Sequence, residues 1–332
     1  TCSPSTRASG VPAGNETASV TCNVIAGTSA VNTVPVNKRP GGVGNVNIKP
    51  AVDNGLSSFT FYSGAAYLVF KNLRFVPTYT SSGFNDAAFI RSPSVCTVDN
   101  CIFDYANANT SYTIYAFQGG NDVTVTNSTF HNTITGVKSQ WGDIFYNTTG
   151  ITFNTNTVKN TPCSPYNVRS MNNNIFIKSA VTVSGNSSAP GFFNDNILDN
   201  ATFNFTGAGT AQPFTIQRNK ININRTTFPD VVNATPRDYI SHAVNFGAGG
   251  GSSSSIVQFI NNFVSINASG FYAQVSGINV AGGPYTLQIY HNSVNINSSQ
   301  QNVVPVTGGT STTISNNIFR SSGGGLAATG SG

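Results

Sequence analysis

From about Leu68 onward the chain runs in short alternations of apolar and polar residues, and none of them lengthens into the 3.6-residue stripe of an amphipathic helix. "VTVTNSTF", "ITFNTNTV" and "TISNNIFR" have one layout: a short alternating run, two small polar residues, then a second short run. The runs predict brief strands with one face turned inward. The polar pair predicts a bend between them.

Ten six-residue windows can be aligned on this layout, starting at Phe70, Val98, Val125, Phe153, Met171, Phe193, Ile216, Phe259, Ile289 and Ile314. They close on Phe75, Phe103, Phe130, Val158, Phe176, Leu198, Ile221, Val264, Val294 and Phe319, so every bracketing position is apolar. The fourth place is asparagine in seven windows: Asn156, Asn174, Asn196, Asn219, Asn262, Asn292 and Asn317. In the first three windows asparagine stands one place earlier, at Asn72, Asn100 and Asn127.

Successive windows lie 28, 27, 28, 18, 22, 23, 43, 30 and 25 residues apart, and periods of this size mark a stacked-repeat architecture. Units this short, without helices, predict an all-β parallel β-helix whose coils stack at about 4.8 Å. Asparagine suits the bend in two ways. It tolerates left-handed backbone, and its amide can bond to the amide on the next coil in a ladder. The 43-residue gap leaves room for one hidden coil around "YISHAVNF", making about twelve coils. On this division residues 1–50 form an N-terminal cap, 51–322 the solenoid and 323–332 a Gly/Ser-rich tail.

Composition sharpens the picture. Charged residues are 8% of the chain and glutamate occurs once, as Glu16, while 43 Asn, 37 Ser and 37 Thr supply the polarity. With 39% hydrophobic residues, including 23 Phe, the chain is expected to fold. The net charge of +5 reflects scarce acids and no Lys/Arg run exists, so nucleic acid is not an expected partner. No apolar run approaches the roughly 18 residues of a membrane span. Because the chain opens on Thr1, an N-terminal signal is expected to have been removed or the sequence to be an engineered one. Eleven Asn-X-Ser/Thr sequons match the number that composition gives by chance and imply nothing about glycosylation.

The five cysteines include no CxxC pair, which argues against zinc. Cys2 and Cys22 are expected to form a disulfide in an oxidising, extracellular setting. Cys96 and Cys101 share one coil and are not expected to pair; one of them can meet Cys163, and a leftover thiol can crosslink subunits.

The "NNIF"-type repeats over about residues 45 to 322, with "LQIYHNSVNIN" the clearest, resemble the right-handed parallel β-helix superfamily. That superfamily includes pectin and pectate lyases, polygalacturonases, phage tailspikes and secreted surface proteins with Asn-rich coils. The resemblance implies a fold far more than an activity. Family members that cleave acidic polysaccharides carry clustered acids; of the polygalacturonase signatures, Asn-X-Asp, Asp-Asp and His-Gly are absent here, and an Arg-X-Lys triplet occurs at Arg218 to Lys220 without them. At "NTNT" an asparagine stands where the acid would be, and an amide cannot exchange the proton that glycoside hydrolysis requires.

One register line bears on chemistry. The residue after the bracket is Asp104, His131 and Lys159 in three consecutive coils and is expected to face outward, giving an acid, an imidazole and an amine in one column. Tyr105, Tyr112, Tyr115, Trp141 and Tyr146 lie in neighbouring segments, with Tyr115, Trp141 and Tyr146 the candidates for stacking on sugar rings. The competing reading makes all of these solvated coil-face residues and packing aromatics. Asp99, Asp122 and Asp143 recur near the coil period but at different register positions, so no shared calcium site is expected. His242 and His291 are isolated, "GAGGGSSSS" lacks the lysine of a phosphate loop, and no cofactor is implied. An ice-binding face would need threonines at a fixed coil offset, and none is read here.

Two functions follow as expectations. The first is a non-catalytic, secreted structural or adhesive protein at the cell surface, self-associating into a fibre or binding a surface glycan. Its low charge favours association. The alternative is a polysaccharide lyase or glycoside hydrolase using Asp104, His131 and Lys159.

Overall fold

The structure, a computed structural model, describes residues 46–48, 68–75, 86–91, 93, 95–105, 113–132, 143–207, 211–225, 242–247, 255–268, 275–283, 285–298, 303–307, 311–322 and 328–329. The described residues form strands joined by turns, with no helix, and every strand pairing is parallel. Each coil contributes one strand before the bend, one after it and one on a third side. The strands before the bend make a 10-stranded sheet and those after it an 11-stranded sheet. The third side is a 3-stranded sheet followed by a 6-stranded one. This is a parallel β-solenoid. Ten strands at about 4.8 Å make a stack roughly 43 Å long.

The alternation of each short strand decides what faces inward. In Ile151–Asn154 the side chains of Ile151 and Phe153 are buried and those of Thr152 and Asn154 are not; across the bend Val158 is buried again. Repeated through the stack, the two bracketing positions become continuous apolar columns. Phe75, Phe103 and Phe130 stack face to face with centroids 4.6 Å apart at each step. Burying each such ring contributes about 1.5 to 3 kcal/mol.

The bend needs two residues with different jobs. The third place of the window takes the left-handed backbone, at Asn72, Asn100, Asn127, Thr155, Asn173, Asp195, Arg218, Asn261, His291 and Asn316, with φ between 52° and 58° throughout. The fourth place, which carries the seven asparagines, has no such conformation and turns its side chain inward, where Asn156, Asn174, Asn196, Asn219, Asn262 and Asn292 are buried. The expectation that one asparagine both makes the turn and forms the ladder is thus corrected for the buried row, although Asn72 and Asn100 at the outer positions do both, Asn100 donating to Asn72 at 2.6 Å. A left-handed residue aims its side chain at solvent, so even arginine serves at the third place.

The hidden coil does not exist. Phe214–Gln217 pairs directly with Ile256–Ile260, and Asn219 bonds to Asn262 across the 43-residue gap. The "YISHAVNF" segment instead supplies His242–Phe246, the third-side strand of the coil begun by Phe214. The 18-residue spacing also has its cause: on that coil the third side shrinks to one bridge, Cys163 to Val181, which links the 3-stranded and 6-stranded sheets.

Val46–Ile48, placed in the predicted cap, is the first member of the 11-stranded sheet. Most of the predicted cap, with Cys2 and Cys22, lies outside the described residues, as does most of the predicted tail. Cys96, Cys101 and Cys163 are buried free thiols, so the expected meeting with Cys163 does not occur. They sit on separate inward columns: before the bend, at the bend and on the third side. Burial pushes the Cys96 thiol up to about 12 and the Cys101 thiol up to about 11, and raises Cys163 well above its ordinary value, leaving all three unreactive.

Candidate functional site

The ladder is the most regular polar feature. The N–H of Asn156 donates to Oδ1 of Asn174 at 2.9 Å, and the same bond recurs from Asn174 to Asn196, Asn196 to Asn219, Asn219 to Asn262, Asn262 to Asn292 and Asn292 to Asn317 at 2.8 to 2.9 Å. From Asn156 to Asn292 each Nδ2 donates both to the next Oδ1 and back to the carbonyl that opens the preceding window, as Asn219 does to Phe193 at 2.9 Å, while Asn317 Nδ2 donates to the carbonyls of Ile289 and Ser315. The six amides from Asn156 to Asn292 therefore have their partners in a buried row, the condition under which buried polar groups are tolerated. The row extends two coils beyond the asparagines. Ser128 N–H donates to Asn156 Oδ1 at 2.8 Å and Cys101 N–H to Ser128 Oγ at 3.0 Å. Ser128 and Cys101 occupy the fourth place of their windows, a signal that an asparagine count passes over.

Asp104, His131 and Lys159 do stand in register on three adjacent strands. They are not equally exposed. Lys159 faces solvent and His131 is half-buried, while Asp104 is only 3% exposed. The cause is Arg74, whose guanidinium reaches from the preceding coil and forms an ion pair with Asp104 Oδ2, leaving Oδ1 3.7 Å from His131 Nε2. Arg74 sits at the fifth place of its window, where column-by-column reading did not look for a partner. A buried carboxylate held by arginine is a structural anchor first. Beyond Lys159 the column continues with Ile177 and then Asp199. Asp199 lies four strands from Asp104, roughly 19 Å at the sheet spacing, far outside the roughly 5 to 9.5 Å of a glycosidase carboxylate pair. The column holds no acid pair of catalytic geometry.

The aromatic candidates are not assembled around it. Tyr115 is 8% exposed and stacks on Tyr146 with centroids 4.7 Å apart and planes 23° from parallel. Both rings belong to the third side, whereas the Asp104 column belongs to the sheet after the bend. Tyr105 is buried edge-on to Phe89, and Tyr112 and Trp141 lie outside the described residues.

The three aspartates that recur near the coil period do not converge. Asp99 accepts from Asn127 and Thr126, with Lys71 at 3.3 Å, and the Asn127 bond foremost lowers its carboxyl below the usual range. Asp122 pairs with Arg169. Asp143 lies on the third side, where burial raises its carboxyl although Ser164 and Phe145 N–H groups donate to it at 2.9 and 3.2 Å. Among the described residues no three His, Cys, Asp or Glu side chains are grouped so as to hold a metal ion. His291 occupies a left-handed bend position, and His242 faces Ser276 of the adjacent strand at 2.5 Å, a pair that linear reading missed because its members are 34 residues apart.

Outward faces carry uncharged polar rows. Asn245 donates to Asn204 and Asn279 to Asn245, each at 2.8 Å; Asn267 donates to Asn224 at 3.2 Å and Asn297 to Asn267 at 3.1 Å. On the sheet before the bend, Thr97, Thr124 and Thr152 are in register, followed by Ser170. Threonine does therefore recur at a fixed coil offset, contrary to the expectation, but the row is broken further on by Phe192, Gln258 and Gln288. No protein-family model matches the chain, and neither a curated protein nor a solved structure matches it.

Proposed function

We propose that this chain is a non-catalytic, extracellular structural or adhesive β-solenoid that binds through its uncharged faces. The observation that supports the reading best is the chemistry of those faces. Amide side chains are bonded to one another in rows, as in Asn204, Asn245 and Asn279, so they are preordered as donors and acceptors yet cannot exchange a proton in catalysis. Preordering lowers the entropy cost of binding a repetitive polar surface, such as a glycan or a neighbouring solenoid. Low charge leaves little repulsion to oppose association. Secretion, a right-handed coil sense and a place in a cell-surface fibre belong to the same proposal.

The test combines binding and cleavage. The full chain is passed over immobilised polysaccharides and its own immobilised copy, and the same polysaccharides are assayed for chain cleavage. Retention without cleavage is the expected result. Cleavage that disappears in both Asp104→Asn and His131→Ala would overturn the reading and restore the lyase or hydrolase alternative.

A further inference from the structure

The outward face of the 10-stranded sheet is polar without charge. Two side-chain columns run along it, one from Thr124 to Thr313 and its neighbour from Thr126 to Ser315, and neither carries a charged residue. The 11-stranded sheet, by contrast, carries Arg74, Asp104, His131, Lys159, Asp199 and Lys220 in its outward columns. In the middle of the uncharged face stands Phe192, 41% exposed, in register with Ser170 on one side and Thr215 on the other. Phe193 fills the core from the same strand, so the outward ring is not a displaced core residue.

The amides beside the ring have fixed polarity. Asn154 Oδ1 accepts the Asn172 N–H at 2.8 Å, Asn172 Oδ1 the Asn194 N–H at 3.0 Å and Asn194 Oδ1 the Gln217 N–H at 3.2 Å. With each oxygen bound to backbone, the amides have only Nδ2 left to offer. Asn172 Nδ2 donates to Ser170 Oγ at 2.8 Å, but those of Asn154 and Asn194 have no acceptor among the described residues, although Asn194 is only 7% exposed. A nearly buried donor without a partner is costly, and a ligand oxygen placed over it removes the cost. The two donors lie two coils apart, about 10 Å, and Phe192 shares the strand of Asn194. We propose that this face is a binding site for a neutral, β-linked glucan or xylan chain, with one sugar ring flat on Phe192 and oxygens of the chain accepting from Asn154 and Asn194. Pyranoses with equatorial hydroxyls present C–H groups on their ring faces, which the negative face of an aromatic ring attracts. Their hydroxyl and ring oxygens supply acceptors without charge. A uronate would instead bring a carboxylate to a face with no cation to compensate it.

The assignment rests on the reading of the uncharged faces as binding surfaces and gives that reading one site and one ligand class. Titration calorimetry of the full chain with cellohexaose and with xylohexaose tests it, hexagalacturonate serving as the acidic comparison. Saturable binding of at least one neutral hexasaccharide is expected, and none of hexagalacturonate. Phe192→Leu, which keeps apolar area but no ring, should weaken binding about tenfold, whereas Phe192→Trp should retain it. Asn154→Asp keeps the oxygen that takes the Asn172 and Ser170 donors and replaces the free donor by an acceptor, so it should weaken binding by a similar factor. Unfolding midpoints are measured for each variant; if Asn154→Asp unfolds, the Leu and Trp pair decides. No binding of either neutral chain, equal binding by the parent and Phe192→Leu, or a preference for hexagalacturonate overturns the proposal. Self-association that Phe192→Leu abolishes, without sugar binding, would overturn it in favour of a contact between copies. Polysaccharide retention that survives both substitutions overturns this site and leaves the face-binding reading standing, whereas a chain that retains neither polysaccharide nor its own copy removes both.

Discussion

Asn219 and Asn261 are both asparagines at a bend, yet they stand in opposite environments. Asn219 donates to Phe193 and Asn262 and accepts from the Asn196 N–H, all without water. Asn219→Ala strands that N–H and that carbonyl, and is expected to cost about 2 to 5 kcal/mol. Asn261 is exposed with φ 55°, so Asn261→Ala should cost about 1 to 2 kcal/mol of left-handed strain, and Asn261→Gly much less. Urea unfolding of the three variants checks this; equal losses for Asn219→Ala and Asn261→Ala would mean that the ladder adds nothing beyond turn geometry. The sequence already marked the fourth place by its enrichment in asparagine, because a repeated hydrogen bond imposes a repeated residue. It could not mark Cys101 or Ser128, since different side chains meet the same requirement at the apolar end of the column.

At the scale of strands, the 3-stranded and 6-stranded sheets meet where the third side narrows to Cys163. Burial foremost raises Asp143, Tyr105 and Cys163 here, and the Asp143 charge adds to the rise of both Tyr105 and Cys163. A carboxyl whose folded-state value lies above its ordinary one favours the protonated form. Its contribution is present below the unfolded value of about 3.9 and is lost as pH rises through the folded value. Asp143→Asn keeps an oxygen for the Ser164 and Phe145 N–H groups and removes the buried charge. The variant is expected to unfold at a higher temperature than the parent near neutral pH, with the gap closing as pH falls toward 4. Thermal melts across that range read it directly, and a gap that widens in acid would reverse the sign. The 18-residue spacing hinted at this narrowing, but which side of the coil was shortened depended on pairing between coils. For the same reason the 43-residue gap suggested an extra coil when it held a long insertion between two strands of one coil. Local alternation identifies strands; only register between distant strands shows which of them are neighbours.

Across the whole molecule each coil touches its neighbours alone, so stability is expected to accumulate coil by coil and to drop at an uncovered end. Phe176 and Phe319 occupy the same column, one buried between flanking coils and the other, among the described residues, covered on one side only. Phe176→Ala should cost about 3 to 5 kcal/mol and speed hydrogen exchange in the coils on either side. Phe319→Ala should cost less and speed exchange only in the last coil. Exchange measured residue by residue on both variants distinguishes this from a single cooperative unit, in which both substitutions would raise exchange throughout.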